Sequence, residues 1–433
     1  MPGAVEFNVE WPGAPPETGH PLLDSSLGQL SISVGDESAT RHRTHHGMEG
    51  DRLYIPTYHV AEWIASNWWS LLYETPKSDD FQKDFDFRER HWLGTARNGF
   101  ALPDLWFCPA GGKIEVTGYA AELAFARLRF LVEISDVTET DTLAQTFSRF
   151  VEQVLDRLHS QGIAANSLKE SWELVSQTAD DMKQYCRLIG ALGLSPYDEH
   201  QDVDDILDAA SDRLPPDILR DLCEAADERT LGALATLTTG VFETLAGAKE
   251  INLADLLAVP LPADTTRHAW QRGREAAGRV RGHFHISNGD PEGSKLFFEK
   301  LDLDSRILTI EDVGPSQIGG VLQKGETTMH LAVLDKREPQ QRFAAARGAF
   351  LGWAGDIEGS RLVSTAITRD QQASRAFAAE LLAPIGYIRT KARNGLLSEQ
   401  GVQDIADSLC APAGAVRYQA QHGDIHVAQG SLF

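Results

Sequence analysis

The chain has 433 residues and a formal net charge of -23; it is too long for one ordinary core, and at roughly 100–200 residues per domain two or three domains are expected. Its cysteines, Cys108, Cys186, Cys223 and Cys410, show no CxxC or Cys/His spacing, which argues against a disulfide framework or a zinc knuckle and makes a reducing cytoplasm the expected location. No basic segment leads into an apolar stretch at the N-terminus and no run of about 18 apolar residues occurs, so neither secretion nor a membrane span is expected.

Residues 1–135 are predicted to form a β-rich domain. Short apolar alternations at residues 28–34, 52–55, 114–117 and 128–134 are separated by Gly, Pro and Asn turns, the pattern of half-buried strands. One helix is predicted among them over residues 58–73. There Val60, Trp63, Ile64, Trp68, Leu71 and Leu72 recur at helical spacing and read as a buried, aromatic-rich stripe. The histidines of RHRTHHG, His42, His45 and His46, lie in a Gly-bounded turn with no acid or cysteine at ligand spacing, so they are read as turn residues.

Residues 136–259 are predicted as an acidic helical domain. Leu143, Phe147, Phe150, Val151, Val154 and Leu158 form one stripe, further helices are expected through Leu174 and over 186–192 and 231–245, and Pro215 and Pro216 suit the opening of a helix. SPYDEH after Gly193 reads as a turn, and VPLPAD at 259–264 as the linker between domains. Residues 1–259 hold 20 Lys+Arg against 43 Asp+Glu, whereas residues 260–433 hold 20 of each. All the excess negative charge therefore precedes the linker, where it disfavours extended nucleic acid and suits solubility or the docking of a basic protein.

Residues 260–433 form the third predicted domain. It opens with an arginine-rich helix (Arg267, Arg272, Arg274, Arg279, Arg281), read chiefly as a solvated face, then a helix over 291–301, a strand in RILTIEDV and a hairpin over 320–334 with Lys324 and Gly325 at its tip. QQRFAAARGAFLGW follows, placing Phe343, Ala346, Phe350 and Trp353 at helical spacing. In ITRDQQASRAFAAELLAP, Thr368 and Gln371 have the spacing of a capping box, Ala373, Phe377 and Leu381 form a stripe, and Pro384 ends the helix. The tail, with Val402, Ile405, Ala406, Leu409 and Val416, has the look of a helix-turn-helix. Its polar residues Asp404, Asp407, Arg417, Gln419, Gln421 and His422 make a poor DNA-reading face.

These motifs, over roughly residues 264–424, resemble the ImmA/IrrE metallopeptidase family, in which a β-hairpin leads into a helix RFxxAHExxH and a second helix, ExEANxFAAxLLMP, supplies a third zinc ligand. The resemblance implies an α+β fold ending in a zincin-like domain of helices packed with a small hairpin or sheet. Arg342, Phe343 and Ala346 match the frame. The first histidine, however, falls on Arg347, the glutamate on Gly348, the second histidine on Leu351, and the two glutamates of the second helix on Gln371 and Ala373. A guanidinium has no lone pair to give and glycine has no base to offer. A protein without catalytic zinc or other cofactor is therefore expected.

Asp356, Glu358, Asp370 and Glu380 are the carboxylates near these helices that could substitute as ligands, Glu380 lying about two helical turns beyond Ala373, though a lone carboxylate without imidazole partners would hold zinc poorly. His283, His285 and His330 are the candidates for a displaced zinc site; HFH alternates as a strand would, with both rings on one face. Arg342, Arg347, Gln372 and Glu380 are the candidates for contacting a ligand in the inherited cleft, where Arg347 favours an anionic group. The resemblance also implies a context: a regulatory or sensor protein in bacterial stress response, mobile-element control or phage defence, with an Xre-type regulator as partner. Two alternatives stand beside it, an active zinc endopeptidase with a displaced metal site and an interaction scaffold working through the acidic N-terminal regions. Any nucleic-acid contact is expected on residues 260–433 only.

Overall fold

The alternations near the N-terminus become strands because one face of each can be buried. A computed structural model describes residues 4–13, 19–78, 80–264, 268–287, 293–310, 317–355 and 359–428. The chain begins with β1 (Val5–Glu10), α1 (Pro21–Ser26), β2 (Leu27–Val34), β3 (Glu37–Ser38), β4 (His42–Thr44), β5 (Glu49–Gly50) and β6 (Leu53–Pro56). β1, β3 and β6 each pair antiparallel with β2, and the register that sets Phe7 against Ile32 buries Val5, Phe7, Leu30, Ile32 and Val34. The helix expected over 58–73 is two, α2 (Tyr58–Ser66) and α3 (Trp68–Tyr73), interrupted at Asn67. The Asn67 amide donates to the Trp63 carbonyl at 2.8 Å, the local competition that makes Asn a poor mid-helix residue. The apolar stripe is buried except for Trp68, which is half-buried.

Next come α4 (Phe85–His91), β7 (Asp104–Pro109), β8 (Lys113–Tyr119), β9 (Glu122–Leu123), β10 (Leu128–Phe130), β11 (Ile134–Glu139), α5 (Thr140–Ser160), α6 (Ser167–Ser176) and α7 (Lys183–Ala191). Two further antiparallel sheets form, in the orders β5-β4-β10-β9 and β11-β8-β7. The predicted stripe of α5 is wholly buried, Phe147 and Phe150 meeting Phe7 with ring centres 5.7 and 5.2 Å apart. His42 belongs to β4 rather than to a turn, buried with its Nδ1 2.9 Å from the Thr40 carbonyl.

The protein is mixed α+β, and the chain divides into two compact units, Met1–Glu199 and His200–Phe433, rather than at 135 and 259. The aromatic helices are the physical reason for the first difference. Trp172 of α6 lies edge-on to Trp68 at 5.1 Å, and Trp69 Nε1 donates to Tyr197 Oη at 2.8 Å. Gly190 of α7 crosses the backbone of Trp69, where an added Cβ would come within 2.7 Å. Helices assigned by periodicity to a middle domain are thus held by the N-terminal one, and the boundary falls in SPYDEH.

The second unit contains α8 (Gln201–Ser211), α9 (Pro216–Ala225), α10 (Leu231–Leu245), β12 (Ile251–Asn252), α11 (Ala254–Leu257), α12 (Ala269–His283), α13 (Gly293–Lys300), α14 (Leu303–Arg306), β13 (Leu308–Ile310), β14 (Ile318–Lys324) and β15 (Thr328–Leu334). It closes with α15 (Glu338–Ala354), β16 (Gly359–Ser364), α16 (Arg369–Leu382), α17 (Ile385–Lys391), β17 (Leu396–Ser398), α18 (Glu399–Leu409), α19 (Ala413–Gln421) and β18 (His426–Ala428). Its main sheet runs β12-β15-β14-β16, antiparallel throughout, with β13 alongside β15 in parallel. The expected hairpin is β14–β15.

VPLPAD does not separate domains. Val259 is buried in the second unit's core with Leu253 and Leu256, and its carbonyl accepts from Trp353 Nε1 at 3.2 Å. Arg279 donates to the Pro260 carbonyl at 2.8 Å and Arg272 to that of Pro262 at 3.2 Å, strapping the segment to α12. Nor is the arginine helix a wholly solvated face, since Arg272 and Arg281 are buried; Arg267 lies outside the described residues. HFH is no strand. It ends α12, with His285 in the left-handed region at φ 58 and Ile286 N donating to the Arg281 carbonyl at 2.8 Å, a helix-terminating turn. Among the described residues no helix is long and apolar enough to cross a membrane.

Candidate functional site

The site is built where α15 lies on the hairpin and α16 lies on α15. Close approach is set by glycine. A Cβ on Gly348 would stand 2.7 Å from Leu331 Cδ1, so this position, aligned with the glutamate of the resembled motif, faces the β15 side chains and a longer group there would have to displace Leu331. Leu351 and Ala373, the positions matching the second histidine and a second-helix glutamate, are 1% and 0% exposed. Ala373 is covered by α12, whose Gly273 approaches so nearly that an added Cβ would stand 2.0 Å from the Ala373 carbonyl oxygen.

Arg347 and Gln371 do meet. Arg347 Nη2 donates to Gln371 Oε1 at 2.7 Å and to the Ser364 carbonyl at 2.6 Å, while its Nε donates to Ser374 Oγ at 3.1 Å. One guanidinium thereby joins α15, β16 and α16. Thr368 caps α16 as predicted, its Oγ1 accepting from Gln371 N at 3.3 Å, but the reciprocal half of the capping box is absent. The Gln371 side chain turns instead to β16, accepting from Ser364 N at 3.2 Å and donating to the Leu362 carbonyl at 2.5 Å.

This is a neutral cradle for a charged group. Burial, and then the nearby Arg375 guanidinium, push Arg347 well below the ordinary arginine range. Each acceptor has a further hydrogen bond of its own: Arg375 also reaches the Ser364 carbonyl at 3.5 Å, and Ser374 Oγ donates to the Gln371 carbonyl at 2.9 Å. Arg347→Met, which keeps the volume and removes the desolvated charge, is therefore expected to change stability by no more than about 1 kcal/mol. Arg347→Ala is expected to cost about 3 kcal/mol through the cavity it leaves. Denaturant unfolding of the two variants checks this, and equal losses would show that the charge itself holds the fold.

The other sequence candidates are scattered around this centre. Arg342 donates to Ser294 Oγ at 3.3 Å and sits 4.6 Å from the Phe298 ring centre, with its Nε buried and lacking a hydrogen-bond partner. Glu380 is raised by burial, with Gln419 Nε2 donating to it and Arg274 Nε at 3.6 Å opposing the shift. Gln372 is half-buried and continues the first turn of α16 through its N–H to the Thr368 carbonyl. Asp370 pairs with Arg272 at 3.0 Å and Arg361 at 3.3 Å. His283 and His285 are exposed at the end of α12, and His330 Nδ1 lies 3.0 Å from the Ala248 carbonyl. Asp356 and Glu358 lie outside the described residues. Among those that are described, no group of three or more His, Cys, Asp or Glu is placed to hold a metal.

One buried ion pair had no sequence signal. Asp221, on α9, is 1% exposed; its Oδ2 accepts from Arg361 Nε at 2.9 Å and from Leu362 N at 2.8 Å. Burial alone would lower Arg361, and the carboxylates of Asp221 and Asp370 more than reverse this, leaving it raised. Arg361, Lys324 and Leu351 line a cavity of about 50 Å³, room for a water or two but no peptide. Comparison with protein-family models, with curated proteins and with solved structures finds no match for this chain.

Proposed function

We propose that the second unit is a non-hydrolytic relative of the ImmA/IrrE metallopeptidases, in which a guanidinium cross-link stands where a zinc would be held. The chain then acts through a bound partner, as a regulator or sensor in stress response, mobile-element control or phage defence, with an Xre-type regulator as the first partner to test. The reading is supported by one observation above the others: Arg347 and Gln371, which the motif alignment sets on a histidine and a glutamate of the family's helices, meet at 2.7 Å in the folded chain. Residues 24 apart in sequence come together at that alignment's centre, and neither offers the anionic or imidazole donor that zinc requires. Gly348, Leu351 and Ala373 are occupied by packing.

The test is metal content together with peptide hydrolysis by the purified full chain. Zinc well below one equivalent and no cleavage of an unfolded protein substrate are expected. One zinc per chain, lost on replacing His283, His285 or His330, would instead establish a displaced catalytic site.

A further inference from the structure

The first unit is acidic, with 16 Lys+Arg against 30 Asp+Glu over residues 1–199, yet Arg41, Arg43, Arg127 and Arg129 gather on and around one small sheet, β5-β4-β10-β9. The register makes the crowding specific. Arg43 stands opposite Arg129, Glu49 opposite Arg43 and Glu122 opposite Arg129, so one row across the sheet reads Glu49, Arg43, Arg129, Glu122. Like charges directly opposed on neighbouring strands are destabilising. Glu49 compensates one side only, accepting from Arg43 Nε at 3.2 Å and from Arg41 Nη2 at 3.3 Å. Among the described residues the Arg127 and Arg129 side chains have neither a hydrogen bond nor an ion pair.

Arg127 is also held at φ 50, in the left-handed region, a conformation that costs a side-chain-bearing residue about 1 kcal/mol or more. Its carbonyl accepts from His45 N at 2.8 Å, which brings the β4 and β10 ends together. A depression of about 740 Å³ results, lined by Arg43, Thr44, His45, Arg127 and Arg129 and by one carboxylate, Glu122, with Ala124, Leu128 and Leu131 as its apolar part. Small-molecule sites commonly occupy roughly 300–1,000 Å³, apolar walls with a few convergent polar groups.

We propose that this depression binds a small phosphate-bearing ligand of the nucleoside phosphate class, its phosphates between Arg43, Arg127 and Arg129 and its base against Leu131. Guanidinium groups recognise phosphate oxygens through paired N–H donors. The surrounding acidity decides against a polynucleotide. Screening confines each charge to about 8 Å at physiological salt, so a compact anion meets the arginines with only Glu49 and Glu122 opposing them, whereas an extended one also meets the carboxylates beyond.

The test is calorimetric titration of the full chain with ADP. Saturable binding is expected that adenosine does not reproduce. Arg129→Gln is expected to weaken it roughly ten-fold or more, and Glu122→Gln, which removes a negative charge from the same row, to tighten it roughly two- to five-fold. Both positions are exposed, and circular dichroism verifies that the variants fold. No saturation by about 1 mM ADP, equal affinity for adenosine, or affinities unchanged in both variants would overturn the proposal. So would displacement of ADP by a single-stranded oligonucleotide at lower concentration, which would identify a polynucleotide surface.

Discussion

Gly273→Ala is expected to cost more than the roughly 3 kcal/mol that bounds ordinary overpacking. The added Cβ would stand 2.0 Å from the Ala373 carbonyl oxygen and 2.9 Å from Phe377 N; backbone on α16, unlike the end of a side chain, has no rotamer to escape into. α12 and α16 would have to separate, and Ala276, Ala277, Val280, Phe377 and Leu381 of the shared core would separate with them. Gly278 on the same helix is the control, since a Cβ there meets nothing within 4 Å. Gly278→Ala is expected to be neutral or stabilising by up to about 1 kcal/mol, as helix propensity dictates. Hydrogen exchange of α12 and α16 reads the difference, and equal protection in the two variants would refute the close approach. Ala373 is fully buried at this contact, so Ala373→Glu is likewise expected to destabilise the α12–α16 packing by burying an unpaired carboxylate.

Glu74→Gln is expected to cost about 3–5 kcal/mol, the usual loss when one partner of a buried ionic cluster is removed. Glu74 is 4% exposed, and its carboxylate accepts from Arg90 Nε at 2.6 Å, from Arg90 Nη2 at 2.7 Å and from His91 Nε2 at 3.0 Å. The fully buried His91 ring stacks on Phe87 at 3.9 Å and directs Nδ1 to the Phe107 carbonyl at 2.8 Å, so the cluster joins the end of α3 to α4 and β7. Burial alone would raise the Glu74 carboxyl, but His91 and Arg90 outweigh it and bring it down from 4.5 to about 2. A depressed folded value places the stabilisation above the unfolded value: present in full above about pH 4.5 and lost as pH falls from there through about 2, some 3 kcal/mol in all. Seven of the nine tryptophans lie in residues 1–199, so their fluorescence during denaturation reports this unit. The wild-type midpoint is expected to fall across that window and the Glu74→Gln midpoint to stay flatter; parallel acid profiles would remove Glu74 as the cause.

Sequence by itself determined the elements whose signal is local. Alternation gave β2 and the β14–β15 hairpin, the 3.6-residue stripe gave α5, α15 and α16, and Pro216 opened α9; residue chemistry alone shows that Arg347, Gly348 and Leu351 offer no side-chain lone pair to a metal. Tertiary structure alone decided what depends on approach between distant segments. Gly190 against Trp69, and Trp69 bonded to Tyr197, moved the domain boundary to Glu199; Val259 under Trp353 turned a proline-rich linker into core. Asp221 and Arg361, 140 positions apart, look like solvated charges in isolation. Periodicity records which face of a segment is apolar but not which segment will cover it, and neither a glycine contact nor a buried ion pair leaves a repeating pattern in the chain.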